Sequence, residues 1–241
     1  MSRDLHHRRL AYLDAMGIQA WAARGVLTTA LDENAPAEVE PAPPSLPPLQ
    51  DWNVLQNEVA QCTRCELHAR RTQSVLGVGK RDAQWMIIGE APGADEDRLG
   101  EPFVGRAGQL LNLMLAAIGL ARETVYITNV VKCRPPNNRD PRPDEAASCE
   151  PFLNAQIALV QPKVILAVGR IAAHHLLKTD VTVGKLRGRQ FSYGELGIPV
   201  IVTYHPAYLL RSPQEKRKAW EDLLLARNVL DASNHESSIN A

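Results

Sequence analysis

Residues 85–93 read Trp85-Met86-Ile87-Ile88-Gly89-Glu90-Ala91-Pro92-Gly93. The first five make a short, unbroken apolar run ending on glycine, the pattern of a strand buried on both faces. A glutamate and a Gly/Pro turn follow at once, so an ionisable side chain stands where the strand ends. Comparable apolar runs at Val125–Val131, Val164–Val168 and Val200–Tyr204 predict three more buried parallel strands. Helical patterns lie between and after them. Gly108–Ile118 sets Leu110, Leu111, Met114, Leu115 and Ile118 on one side. Pro143–Leu159 opens on Pro143, Asp144 and Glu145, which suit a helix N-terminus. Ile171–Leu177 and Pro213–Leu230 complete the set. This alternation predicts an α/β fold of three layers, α/β/α, around a central four-stranded, mainly parallel sheet.

In such folds functional groups collect beyond the carboxyl ends of the strands, and the sequence there is chemical in character. Glu90 follows the first strand, inside Gly89–Gly93. Asn129 lies near the end of the second, ahead of Lys132-Cys133-Arg134-Pro135-Pro136-Asn137-Asn138-Arg139. The third strand ends in Gly169-Arg170, and the fourth runs into His205-Pro206-Ala207-Tyr208-Leu209-Leu210-Arg211. Neither the G-x-G-x-x-G spacing of a dinucleotide site nor a Walker lysine motif is present. A tight Gly/Pro loop still lets backbone N–H groups approach a planar or anionic ligand.

Phe103 is one of only three Phe in the chain and sits in a polar, glycine-rich loop, Gly100–Gly105. It either stacks on a flat heterocycle or plugs its loop onto the core. Asn129 offers both a donor and an acceptor edge, unless it only ties down local backbone. His205 can donate to a developing oxyanion, or be a structural histidine. The acidic run Asp95–Asp97 reads as solvated charge or a helix start.

The chain has four cysteines. Cys62 and Cys65 form a C-x-x-C pair, Cys133 lies in the basic Pro-rich loop and Cys149 further on. Four thiolates can surround a tetrahedral zinc or an iron–sulfur cluster, and spacing alone leaves both open beside ordinary buried cysteines. At 241 residues, 45% apolar and with zero net charge, the chain suits one sizeable domain plus an appendage. The expected organisation is an N-terminal helix (within 4–26) and acidic Pro-rich linker over residues 1–50, a domain over 51–232, and a disordered tail over 233–241. Zero net charge excludes a protein basic throughout. Local clusters such as Arg64/Arg70/Arg71, Lys132/Arg134/Arg139/Arg142 and Lys185/Arg187/Arg189 can still form a nucleic-acid footprint. The N-terminus lacks the unbroken apolar core of a secretory signal, and no run approaches the ~20 apolar residues of a membrane span. A reducing cytoplasm is the expected location, where clustered cysteines more often bind metal than pair. No membrane partner is expected.

Four segments together carry a resemblance: GEAPGADEDRLGEPFVGRAGQLL (89–111), TNVVKCRPPNNRDPRPDE (128–145), VGR (168–170) and HPAYLLR (205–211). In order and separation they resemble the motif series of the family 4, iron–sulfur uracil-DNA glycosylases, across about residues 55–230. The resemblance implies an enzyme that flips uracil out of DNA and hydrolyses its N-glycosidic bond, acting as a monomer on uracil-containing DNA. It implies a uracil pocket of Gly89, Ala91, Phe103 and Asn129, with Glu90 and His205 catalytic. It further implies Leu209, Leu210, Arg211 and Arg134 on DNA, and a 4Fe–4S cluster held by Cys62, Cys65, Cys133 and Cys149. Where the best-known branch of the superfamily carries a water-activating Asp, this chain has Ala91. The resemblance therefore implies leaving-group stabilisation and a cationic sugar, with Glu90 placing the water. It does not cover residues 1–50, which could serve as an arm for a repair or replication protein.

Overall fold

The computed structural model describes residues 49–239. The helix and linker expected over residues 1–50 fall outside these but for the last two positions. Helix α1 (Trp52–Gln61) opens the described domain, capped by the Asp51 carboxylate, which accepts from Asn53 N at 2.7 Å and Val54 N at 3.2 Å. Four parallel strands follow the four apolar runs: β2 (Trp85–Gly89), β3 (Tyr126–Asn129), β4 (Val164–Val168) and β6 (Ile198–Thr203). Two short antiparallel strands extend the sheet, β1 (Val78–Gly79) beside β3 and β5 (Gln190–Tyr193) beside β6. The sheet thus has six strands in the order β1-β3-β2-β4-β6-β5, rather than the four expected. Both additions are edge strands. β1 is only two residues long, and β5 is a polar Gln-Phe-Ser-Tyr run half turned to solvent, so neither carries the apolar signature of a buried strand.

The period-two alternation of side chains divides the core between two faces. Met86, Ile88, Ile165, Ala167, Val200 and Val202 pack with Leu55 and Val59 of α1. Phe152 and Leu153 of α4 (Pro143–Val160), and Ala172 and Ala173 of α5 (Arg170–Leu177), complete that face. Ile87, Leu166, Val168 and Ile201 face the other way. They meet Leu111 and Leu115 of α3 (Arg106–Ala117) and Leu223, Ala226 and Leu230 of α8 (Lys216–Ile239). Short helices α2 (Ala94–Leu99), α6 (Val183–Leu186) and α7 (Pro206–Arg211) belong to the connections. Because β3 and β4 flank β2 on opposite sides, the chain reverses its winding between β2 and β4. A crevice opens there at the carboxyl ends of the strands.

Helix α8 continues to Ile239, past the boundary expected at 232, so the stretch from 233 is helical as far as Ile239 rather than a disordered tail. The polar sequence there has no apolar stripe to announce it. Ser233 Oγ donates to the Val229 carbonyl at 3.0 Å, and Lys163 Nζ to Asn234 Oδ1 at 2.7 Å. No helix among the described residues is long and apolar enough to cross a membrane.

Asp222, fully buried on α8, ties this helix to the strand that leads into His205. It accepts from Thr203 Oγ1 at 3.0 Å and Gly188 N at 3.1 Å, and pairs with Arg187 Nη2 at 3.0 Å. Removing one side of a buried pair strands the other charge. Asp222→Ala is therefore expected to cost about 3 kcal/mol in urea denaturation, and an unchanged midpoint would refute this role.

Candidate active site and cysteine cavity

A cleft of about 920 Å³ opens at the carboxyl ends of β2, β3, β4 and β6. Glu90, Ala91, Phe103, Asn129, His205 and Arg211 all line it. Its floor depends on a missing side chain. A Cβ on Gly89 would lie 2.5 Å from both Asn129 Oδ1 and Phe103 Cζ. Gly89 and Asn129 are register partners on β2 and β3, so the bare backbone at 89 lets the amide and the ring close over the strand end.

Phe103 is buried in a left-handed conformation with φ of 54°, which costs a bulky residue roughly 1–3 kcal/mol. Three groups hold it there. Glu96 Oε1 accepts from Val104 N at 3.0 Å and Gly105 N at 3.1 Å. Arg122 Nη1 donates to the Phe103 carbonyl at 3.2 Å, and Nη2 to the Pro102 carbonyl at 2.5 Å. Gly108 lets α3 come so near that a Cβ there would sit 1.7 Å from the Phe103 carbonyl oxygen. The fixed ring lies 5.6 Å from the His205 ring, with 30° between planes.

Asn129 is only 2% exposed, and its Oδ1 is buried without a hydrogen-bond partner among the described residues. Buried polar atoms are normally paired, so this acceptor marks a point of recognition. The Asn129 main chain is firmly held: buried Lys132 donates through Nζ to its carbonyl at 2.6 Å, and also to Thr128 Oγ1 at 2.9 Å and Gln156 Oε1 at 2.6 Å. Burial lowers the Lys132 pKa to about 8.

His205 caps α7, its Nδ1 accepting from Ala207 N at 3.1 Å. The neutral ring therefore carries its proton on Nε2, free to donate. Burial, helped by the Arg211 charge, lowers its pKa to about 4, so it is uncharged near neutrality. Glu90 moves the opposite way. Burial first, then the neighbouring Asp140 carboxylate, raise its pKa to about 7, while Arg170 opposes the rise.

Some expected residues fall elsewhere. Leu209, expected on DNA, is only 1% exposed and lines a small apolar cavity with Leu110 and Leu223, because the short helix turns Pro206 and Leu209 inward. Leu210, at 37% exposed, faces solvent. Arg134 does not line the cleft; its Nε donates to Asn138 Oδ1 at 2.8 Å. Several cations of the expected basic footprint are engaged inside the protein, among them Lys132, Arg187 with Asp222, and Arg139 with the buried Glu145. The acidic run at 95–97 is a helix start but not merely solvated: Glu96 braces the Phe103 loop, and buried Asp97 accepts from Thr72 N at 2.9 Å. Arg122 gave no sequence signal, and Asp140 and Arg170, though inside the quoted motifs, gave none of their pairing, since each acts on a partner distant in the chain.

Cys62, Cys65, Cys133 and Cys149 are all unpaired and line a second, small cavity behind the sheet end. Arg71 Nη1 donates to Cys133 Sγ at 3.1 Å. Burial raises the thiol pKa of Cys65, Cys133 and Cys149, the last to about 12. Among the described residues no three His, Cys, Asp or Glu side chains converge as a single-ion site.

The sequence from 76 to 224 matches the Uracil DNA glycosylase superfamily. The chain belongs to this superfamily. Among curated members, it is 46% identical over 180 residues to a type-4 uracil-DNA glycosylase of Archaeoglobus fulgidus, covering 72% of this chain and 90% of that one. A Thermotoga maritima protein of the same description is 45% identical over 180 residues, covering 73% and 93%. One from Saccharolobus solfataricus is 40% identical over 191 residues, covering 76% and 88%. The superfamily match spans all four strand ends that build the cleft.

Gly89→Ala tests the crowding at the floor of this superfamily site. The added methyl must displace Asn129 or Phe103, an overpacking cost of about 1–3 kcal/mol expected in chemical denaturation. A neutral substitution would show that the floor has room.

Proposed function

We propose that this protein excises uracil from DNA, hydrolysing the bond between base and deoxyribose to leave free uracil and an abasic site. The observation that carries this reading is the buried, unpartnered Asn129 amide oxygen beside the fixed Phe103 ring. A base extruded from the stack would lie on Phe103 and present its edge to Asn129. The amide oxygen accepts from uracil N3–H while the amide nitrogen donates to O4. Cytosine offers an acceptor and an amine at those places, and such polar mismatch discriminates strongly.

Neutral His205 donates from Nε2 to the uracil carbonyl as negative charge builds on the departing ring, the role of an oxyanion donor. With alanine at 91, Glu90 is the carboxylate that orients water toward the sugar cation. The exposed Leu210 suits the gap left in the base stack, with Arg211 and Arg134 toward the phosphates. Leu209 is buried and does not face the DNA side of the cleft.

The cysteine cavity fits a metal centre by its donor set: four sulfurs, none in a disulfide, lining one small cavity. With the family resemblance, this donor set suits a 4Fe–4S cluster held by Cys62, Cys65, Cys133 and Cys149. Bound there, such a cluster supplies a covalent staple between three chain segments, and full thiolate ligation leaves no open position for water. The thiolate set also suits a reducing, cytoplasmic setting.

Incubation with a uracil-containing oligonucleotide, followed by alkali, is expected to cut the strand at uracil. Binding without scission would instead indicate a non-catalytic nucleic-acid module. His205→Ala and Glu90→Ala are each expected to slow single-turnover release on the order of 100-fold, with binding nearly unchanged. Asn129→Asp is expected to gain cytosine release. Wild-type rates in the first two variants, or no cytosine release in the third, would remove the assigned roles. Separately, the purified protein is expected to contain iron and inorganic sulfide in equal amounts with broad visible absorption, and Cys149→Ser to lose them. A colourless zinc protein would overturn the cluster.

A further inference from the structure

Glu90, Asp140 and Arg170 meet on one wall of the cleft from three parts of the fold: the end of β2, the loop entering α4 and the first residue of α5. The Asp140 carboxylate is paired with Arg170 Nη2, and both line the cleft with Glu90, whose carboxyl burial and the Asp140 charge hold toward its protonated form. The backbone at 140 is held as well. Arg139 Nη1 donates to the Asp140 carbonyl at 2.8 Å, and the same guanidinium grips Glu145 at 2.8 and 2.6 Å. Glu145, fully buried, also accepts from Arg142 N at 2.7 Å. Asp140 is thus an anchored group on an anchored loop.

Two carboxyls can hydrogen-bond only while one of them carries a proton. Arg170 touches Asp140 and stabilises the charge there, which leaves the proton on Glu90. We propose that Asp140, fixed by Arg170, is a positioning residue for Glu90: it receives the Glu90 O–H while that proton is present, and repels the carboxylate toward the cleft once the proton has left. This inference rests on the reading of Glu90 as the group that orients water.

The consequence is a pH gate. Protonated Glu90 neither accepts a proton from water nor offsets positive charge on the sugar, so base release should rise as pH passes upward through the Glu90 transition near 7. The other charged or titratable groups lining the cleft are Asp95 and Glu96 on α2, Arg106 on α3, and Tyr204, His205, Tyr208 and Arg211. His205, at about 4, is already neutral throughout that range and does not blur the transition.

The test is the pH profile of single-turnover uracil release by the full chain and three variants. Asp140→Asn removes the like charge, so its acid limb is expected to shift to lower pH, on the order of one unit. Arg170→Gln removes the opposing charge, so its limb is expected to shift to higher pH. Asp140→Glu keeps the charge and is expected to bring the limb back toward wild type. Coincident limbs, shifts of both charge-removing variants in one direction, or loss of release by Asp140→Asn at every pH would overturn the proposal while leaving the glycosylase reading intact. Failure of the wild type to release uracil at any pH would overturn both.

Discussion

Where β2 ends, the space that a Gly89 side chain would fill is taken by the Asn129 amide and the Phe103 ring. The rest of the cleft follows from that close approach. Parallel pairing of β2 and β3 sets Gly89 opposite Asn129, and Lys132 holds the Asn129 carbonyl from below. Phe103 reaches the same spot only in a left-handed conformation, which Glu96, Arg122 and the bare backbone of Gly108 impose. A helix, a loop and two strands are thus matched to one small volume.

The electrostatics of the cleft run against the ordinary charge states of its members. Burial strips the charge from His205, the group proposed to face a developing anion, and places Glu90 at the edge of ionisation. A neutral histidine donor is suited to meet anionic charge as it appears, because it does not already hold a counter-ion or bind bulk anions. The cysteine cavity lies apart from these groups, and its residues are distinct from those lining the cleft. The architecture separates the cysteine cavity from the cleft.

Much of this was legible in the sequence for a physical reason. Strands buried on both faces must be apolar throughout, so β2, β3, β4 and β6 stand out as runs, and a glutamate, an asparagine and a histidine at their ends stand out against them. The edge strands did not, because β1 is too short and β5 too polar. Leu209 and Leu210 are adjacent and chemically alike; only the phase of a six-residue helix decides which one faces inward. The contacts of Arg122 with Phe103, Asp140 with Glu90 and Arg170 with Asp140 were illegible because they span 19, 50 and 30 residues, and spacing in the chain carries no trace of them. Basic residues misled for the same reason: Lys132, Arg139 and Arg187 read as surface charge, yet serve buried acceptors and carboxylates.

On the proposed reading, the left-handed Phe103 also bears on how the protein meets the many bases it must turn away. Its ring is locked by backbone contacts made within the folded chain, so the ordering cost of the platform is met during folding and not at each encounter. A platform of this kind does not mould itself to a wrong base. On that reading, rejection of a wrong base then requires no loop to relax.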